Sequence, residues 1–350
     1  MEGLHVDAEL LRKLVVTPGI SGREERIREV VAEQLRPLVD EVRCDRLGSL
    51  VGVRRGSGPR VMLSAHIDSI GFLVSHIDDR GFLRLAPVGG FDPRTLVQQR
   101  VLVQGKQDLV GLVSPPGKPI HLLTPEEREK APKLEELFVD LMLPAEEVKE
   151  LVSIGDPVTL LREPHVTDRA FASHYLDDRL GVYAMIQALR EAQNTQAEIY
   201  AVASVQEEVG LRGARTSAYG VEPDMAIALD ITIAGDIPGG DPAAQVTAIG
   251  AGAAICVMDA GAISDPRLVQ RFKEVAEGHG ITYQMEILPR GATDAGGIQQ
   301  SRGGVPVITI SLPVRYVHTV NEMAYVLDID ATVALVARFL ETAHEVNLEW

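Results

Sequence analysis

Five short elements, HID, LDD, QEE, ALD and YVH, punctuate this chain. Each lies at the end of an apolar run that reads as a buried strand, or in the turn just after one. RVMLSAHID, AEIYAVASVQ, PDMAIALDIT and VPVITISLPV are the clearest of these runs. An open α/β sheet carries its chemistry in the crevice outside the carboxyl ends of its strands. The five elements therefore offer His66, Asp68, Asp177, Asp178, Glu207, Glu208, Asp230 and His318 as candidates for one shared site.

The segments between the runs supply the helices that such a sheet needs. Asp7 is placed to cap AELLRKLVV, and REERIREVVAEQLRPLV carries Ile27, Val30, Val31 and Leu35 at helical spacing. EVRCDRLGSLVGVRRG reads as two strands about a turn near Leu47 and Gly48. Later, LDDRLGVYAMIQALREA, LRGARTSAYG, DPRLVQRFKEVAEGHG and DATVALVARFLETAHEV read as helices, and ITYQMEILP as a strand. In the third of these helices Leu268, Val269, Phe272 and Val275 share one side. Alternating helix and strand predict an α/β sheet with helices on both faces.

At 350 residues a second, smaller unit is expected beside the main core. The texture changes between 69 and 164. GFLVSHIDDRGFLRLAP reads as a hairpin around Asp79-Arg80-Gly81, RVLVQGKQDLVGLVS as another, and GDPVTLL as a closing strand, with the charged PEEREKAPKLEELF loosely helical among them. We read 69–164 as an inserted β-rich domain, a small barrel or sandwich. The α/β domain then comprises 1–68 and 165–350.

A net charge of −16 without a basic patch excludes a nucleic-acid-binding face. Cys44 and Cys256 are far apart and lack CxxC spacing, which excludes a disulfide framework and a thiolate zinc site. Cys256, in AAICVM, is expected to be a buried core thiol. The opening MEGLHVDAELLRKL has no basic start followed by an apolar stretch. No segment reaches the roughly 18 apolar residues of a membrane span. A soluble, cytoplasmic protein without a nucleic-acid or membrane partner is expected.

The chemistry of the five elements is that of cation ligands. Residues two apart in a strand point to the same side, so Asp68 is expected to hold one nitrogen of His66 while the other faces a metal. HxD alone equally describes a structural histidine, and Asp177-Asp178 at a helix start equally describes caps. Glu207-Glu208 after a buried strand is harder to explain as packing, because unpaired buried carboxylates are costly without a cation. Asp230, ending the run MAIAL, meets the same cost. Two imidazoles and several carboxylates without cysteine suit zinc, cobalt or manganese in a hydrolytic role. Asp294 opens the glycine-rich TDAGG turn as a cap or a pocket residue, and Arg315 and Tyr316 precede His318 as further candidates to bind substrate.

HIDSIGFLV, GGFDPRTLVQQRV, KPIHLLTPEERE, IGDPVTL, LDDRLGVYAMIQAL, VQEEVGLRGA, IALDIT and TDAGGIQQSRGGVPVITISLPVRYVH together resemble the tetrahedral, deblocking or glutamyl-type aminopeptidases of the dinuclear metallopeptidases. The likeness runs over nearly the whole chain. It implies a mixed-sheet α/β/α metallopeptidase fold with a small β-barrel-like insertion. Two divalent ions, zinc or cobalt, are implied in each subunit. His66 and Asp230 would hold one, Glu208 and His318 the other, and Asp177 would bridge them. Asp178 would follow across a strained peptide bond, cis in one form, that aims the bridge. Asp68 would orient His66, and Glu207 would be the general base on a water shared by the ions, in the manner that lowers a water pKa from 15.7 towards ~7.

The expected substrates are peptides cut after their first residue. The expected assembly is a homo-oligomer in which the inserted domain mediates dimer contacts and dimers build a tetrahedral dodecamer. Ser69, where the family usually has glutamate, and ASHYL before the aspartate pair depart from the pattern, and both are expected near the rim of the site. A glycoside hydrolase would also use paired carboxylates, but it leaves His66, Asp230 and His318 unexplained. A catalytically silent peptide-binding relative is the other alternative.

Overall fold

The computed structural model describes residues 6–349. The first five residues, on which the reading of the amino terminus partly rests, and Trp350 lie outside the described residues. Chain order begins with β1 (Glu41–Cys44), β2 (Leu50–Arg54) and β3 (Arg60–His66). Six short strands follow: β4 (Gly71–Ile77), β5 (Leu83–Val88), β6 (Arg100–Gln104), β7 (Asp108–Ser114), β8 (Phe138–Asp140) and β9 (Pro157–Leu160). Then come β10 (His165–Val166), β11 (Ala170–Ser173), β12 (Glu198–Ser204), β13 (Met225–Ile233), β14 (Ala253–Met258), β15 (Tyr283–Ile287), β16 (Val307–Val314) and β17 (Glu322–Tyr325).

The main sheet has eight strands in the order β1-β2-β12-β3-β13-β16-β14-β15. Its central strands β12, β3, β13 and β16 run parallel, and antiparallel pairs β1/β2, β2/β12 and β14/β16 make the sheet mixed. Side chains alternate between two cores, as the period of two in a strand requires. Val61, Leu63 and Ala65 of β3 face a large core shared with helices Ala8–Val16, Glu25–Leu35, Leu176–Glu191, Pro266–His279 and Val326–Thr342. Met62, with Ala226 and Ala228 of β13, faces the opposite core with helices Arg212–Val221 and Asp294–Gln299. Both faces are covered, which is why the strands read as unbroken apolar runs.

Strands β4 to β9 close into a barrel in the order β4-β5-β8-β7-β6-β9. Phe72, Val74, Leu83, Val101, Val103, Val139 and Val158 fill it. The β4–β5 hairpin turns where expected, because Asp78 accepts hydrogen bonds from the backbone of Arg80 and Phe82 and Gly81 adopts a positive φ of 88°. A third, three-stranded sheet, β10-β11-β17, has no counterpart in the sequence reading. Its strands are two to four residues long, too short for a hydrophobic period to register. The terminal helix also begins earlier than expected, at Val326 rather than at the DATVALV segment.

Candidate active site

The parallel register delivers the site. Ser204 of β12 lies opposite His66 at the end of β3, so the turn carrying Glu207 and Glu208 begins level with the histidine. Asp230 lies within β13, paired with Ser311 of β16, whose continuation reaches His318. Asp177 and Asp178 enter from the start of helix Leu176–Glu191, where both have non-helical backbone angles and the peptide bond joining them is cis.

His66, Asp177, Glu207, Glu208, Asp230 and His318 line one cleft of about 560 Å³, with Asp178 buried behind it. Asp177 stands between the two imidazoles. Its Oδ1 is 3.1 Å from His66 Nε2 and its Oδ2 is 3.2 Å from His318 Nε2. Glu208 Oε2 lies 3.6 Å from His318 Nε2, whereas Glu207 Oε2 and Asp230 Oδ1 lie 3.8 and 3.9 Å from His66 Nε2. Asp178 does two jobs: Oδ1 accepts from Gly181 N at 2.9 Å as a helix cap would, and Oδ2 accepts from His66 N at 3.2 Å.

Asp68 differs from expectation. His66 Nδ1 lies 3.0 Å from the backbone carbonyl of Asp68, while the Asp68 carboxylate is 3.6 Å away. That carboxylate instead accepts from Ser21 Oγ at 2.6 Å and from the backbone N–H groups of Glu207 and Glu208 at 3.0 and 3.2 Å. The physical reason is that β3 ends at His66, so the alternation of a strand no longer aims Asp68. Asp68 thus ties the histidine strand to the glutamate turn.

Burial shapes the electrostatics. Burial alone would raise the Asp177 carboxyl, but hydrogen bonds with His318 and His66 prevail and hold it well below the usual carboxylate range. Burial, then the charge of Asp177, pushes Glu208 up to about 8. Glu207 and Asp230 are driven well above their ordinary values by burial, against the opposing pull of His66. The hydrogen bond to Asp177 raises His318 to about 10. Charge at this density asks for cations, and without them it holds protons instead.

Several candidates fall outside the cleft. Asp294 is only 2% exposed, behind the sheet, where its Oδ2 accepts from Ser64 and Ser204 hydroxyls at 2.7 and 2.5 Å. Thr293, not Asp294, caps the following helix. The guanidinium of Arg315 is paired with Asp236. Tyr316 is exposed, and neither it nor Arg315 lines the cleft, where Val317 and His318 do. Ser69 and His174 are buried away from the rim. Ser69 donates to the Gly19 carbonyl, and the neighbouring Tyr175 hydroxyl accepts from Leu160 N of the barrel at 2.7 Å.

Sequence reasoning missed Glu322. This buried carboxylate accepts from the backbone N–H of Asp177 at 3.1 Å and of His318 at 2.8 Å. Its one sequence signal is an acid four residues beyond a candidate ligand.

The donor set fits divalent cations. His66, Asp177 and Glu208 offer atoms within 4.8 Å of one another, as do His66, Glu207 and Asp230. Glu208 Oε1 is buried without a hydrogen-bond partner, the environment in which a bare oxygen wants a positive charge. Nitrogen and oxygen donors without sulfur have the chemistry of a hydrolytic metal centre.

The chain belongs to the M42 glutamyl aminopeptidase family, whose sequence profile matches residues 48–335. It is 38% identical over 344 residues to the lysyl aminopeptidase of Pyrococcus furiosus, covering 96% of this chain and 97% of that one. An aminopeptidase of the archaeon Desulfurococcus kamchatkensis has the same fold, with a TM-score of 0.90 at 39% identity over 95% of this chain and 94% of its own. The TET1 peptidase of Pyrococcus horikoshii, which can assemble into a tetrahedron or a large octahedral shell, matches with a TM-score of 0.83 at 29% identity, over 95% and 98% of the two chains. The protein is therefore a peptide hydrolase, and the glycoside-hydrolase alternative is set aside. Among the described residues no helix is long and apolar enough to cross a membrane.

Proposed function

We propose that the cleft holds two divalent ions, zinc or cobalt, and removes the first residue of peptides. His66 and Asp230 would hold one ion, Glu208 and His318 the other, with Asp177 shared. The observation that carries this reading is the division of Asp177, whose two oxygens face different imidazoles at nearly equal distance. When bound, such a pair supplies Lewis acidity toward the scissile carbonyl and a more acidic water.

The protein's own groups do the rest. Glu207 accepts the proton of the attacking water and returns it to the leaving amine, since its carboxylate lies in the cleft 3.8 Å from His66 Nε2, within reach of such a water. Glu208, next to it, would hold the cation. Asp68 fixes the backbone of both glutamates, so their division of labour is built into one turn. Asp178, through the His66 backbone, keeps the histidine strand and the aspartate loop in register.

Residues 69–164, which contain the closed barrel, are proposed as the inserted domain that mediates dimer contacts. Dimers would then assemble into a cytoplasmic tetrahedral dodecamer. Stripping the protein with EDTA should abolish hydrolysis of aminoacyl para-nitroanilides, and zinc or cobalt should restore it with two ions bound per chain. Full activity in a protein shown by elemental analysis to be metal-free would end the reading.

A further inference from the structure

Among the described residues, none of 17–24, the loop between the first two helices, lines the cleft. The loop is nonetheless laced to the strand end behind it. Ser21 N donates to the Ser69 carbonyl at 3.3 Å, and the N–H and hydroxyl of Ser69 both donate to the Gly19 carbonyl, at 2.9 and 3.1 Å. Arg23 N closes a turn on the Ile20 carbonyl at 2.8 Å, and the buried carboxylate of Glu24 accepts from Gly22 N at 2.7 Å. Ser21 is thus placed by its backbone, and its hydroxyl serves a second purpose. It donates at 2.6 Å to Oδ2 of Asp68, a residue with no exposed surface. A hydroxyl so close to a carboxylate makes one of the stronger hydrogen bonds in a protein. The same Oδ2 accepts from Glu208 N at 3.2 Å, and Oδ1 accepts from Glu207 N at 3.0 Å. The glutamate turn needs that hold, because Gln206 enters it at a φ of 55°, a left-handed conformation that its surroundings must impose.

Resting on the reading of Glu207 as the proton carrier, we propose that Ser21 is a positioning residue for the hydrolysis, acting through Asp68 on the turn that carries both glutamates. Without its hydroxyl, Oδ2 keeps only the longer bond to Glu208 N, and the carboxylate is free to swing about its Cβ–Cγ bond. The turn then loses its reference to the histidine strand. A displacement of ~1 Å at a reacting group costs on the order of 10²-fold in rate, so the effect falls on the chemical step. Substrate binding is spared, since neither Ser21 nor Asp68 lines the cleft.

The test compares kcat, KM, Tm and metal content of the zinc-saturated wild type and its variants on the aminoacyl para-nitroanilide that the wild type cleaves fastest. Ser21→Ala should lose kcat by about 10–100-fold, with KM within about threefold and metal content unchanged. Ser21→Thr, which keeps the hydroxyl, should hold kcat within about threefold of wild type, and Ser21→Cys, a weaker donor, should fall below it. That pair keeps the ordering measurable should the alanine variant not fold. Ser217→Ala is the control for stability: Ser217 Oγ donates to Asp45 Oδ2 at 2.9 Å, Asp45 likewise holds a turn, and neither residue lines the cleft. It should lower Tm and leave kcat within about twofold. In an Asp68→Asn background, Ser21→Ala should cost nothing further in kcat, because the route through Asp68 is already cut. Losses that multiply in the double variant, an unchanged kcat in Ser21→Ala, or an equal kcat loss in Ser217→Ala would each overturn the proposal. Full activity of Glu207→Gln, or a zinc-saturated wild type inert on every aminoacyl anilide, would instead sink the reading beneath it.

Discussion

The two imidazoles of the cleft are held in opposite ways. His66 closes a central strand of the sheet, is 2% exposed, and has its second nitrogen against the Asp68 carbonyl. His318 sits in the connection from β16 to β17 with a positive φ of 59°, its side chain 39% exposed, and its backbone held by one carboxylate, Glu322. One half of the site is part of the sheet, and the other hangs from it. The difference teaches that Asp177, which faces both imidazoles, can be set from a rigid side while the second side is held by a single buried acid.

The largest expected effect falls between the halves. Glu207→Gln should lower kcat by roughly 10³-fold while elemental analysis finds metal content unchanged. A variant that hydrolyses peptides normally would remove Glu207 from the proton path. Next come the histidines themselves. His66→Ala and His318→Ala should each lose an ion, but His66→Ala should also lower Tm by several degrees more, because it opens a hole among buried carboxylates. Equal thermal losses would erase the asymmetry. The smallest effect should come from Glu322→Gln, which keeps one acceptor oxygen but turns an NH2 donor towards one of the two backbone N–H groups that the carboxylate serves. It should weaken the more loosely held ion by about 10–100-fold in chelator competition and leave the other in place. If both ions weaken together, Glu322 supports the whole loop cluster and not the His318 side.

Much of this was legible in the residues. Asp230 announced itself as a carboxylate ending an apolar run, and the parallel sheet placed it where such runs converge. Glu322 was hidden because its value depends on the return of β17 beside the start of a helix 145 positions earlier. No local period encodes that meeting. Asp68 was half legible: its identity was plain, but its direction depended on the residue at which β3 stops. Asp294 looked like a cap or a pocket wall because a sequence does not show that two serines on neighbouring strands will donate to it from behind.

The order of the site along the chain carries a last consequence. His66 appears early, but its sheet neighbours β12 and β13 come only after the barrel, and His318 follows β16. The cleft is therefore not complete until almost the whole chain is present. A protein whose trade is shortening amino termini completes its cleft with its last strands, while the helix Ala8–Val16 is packed into the core beneath the same sheet.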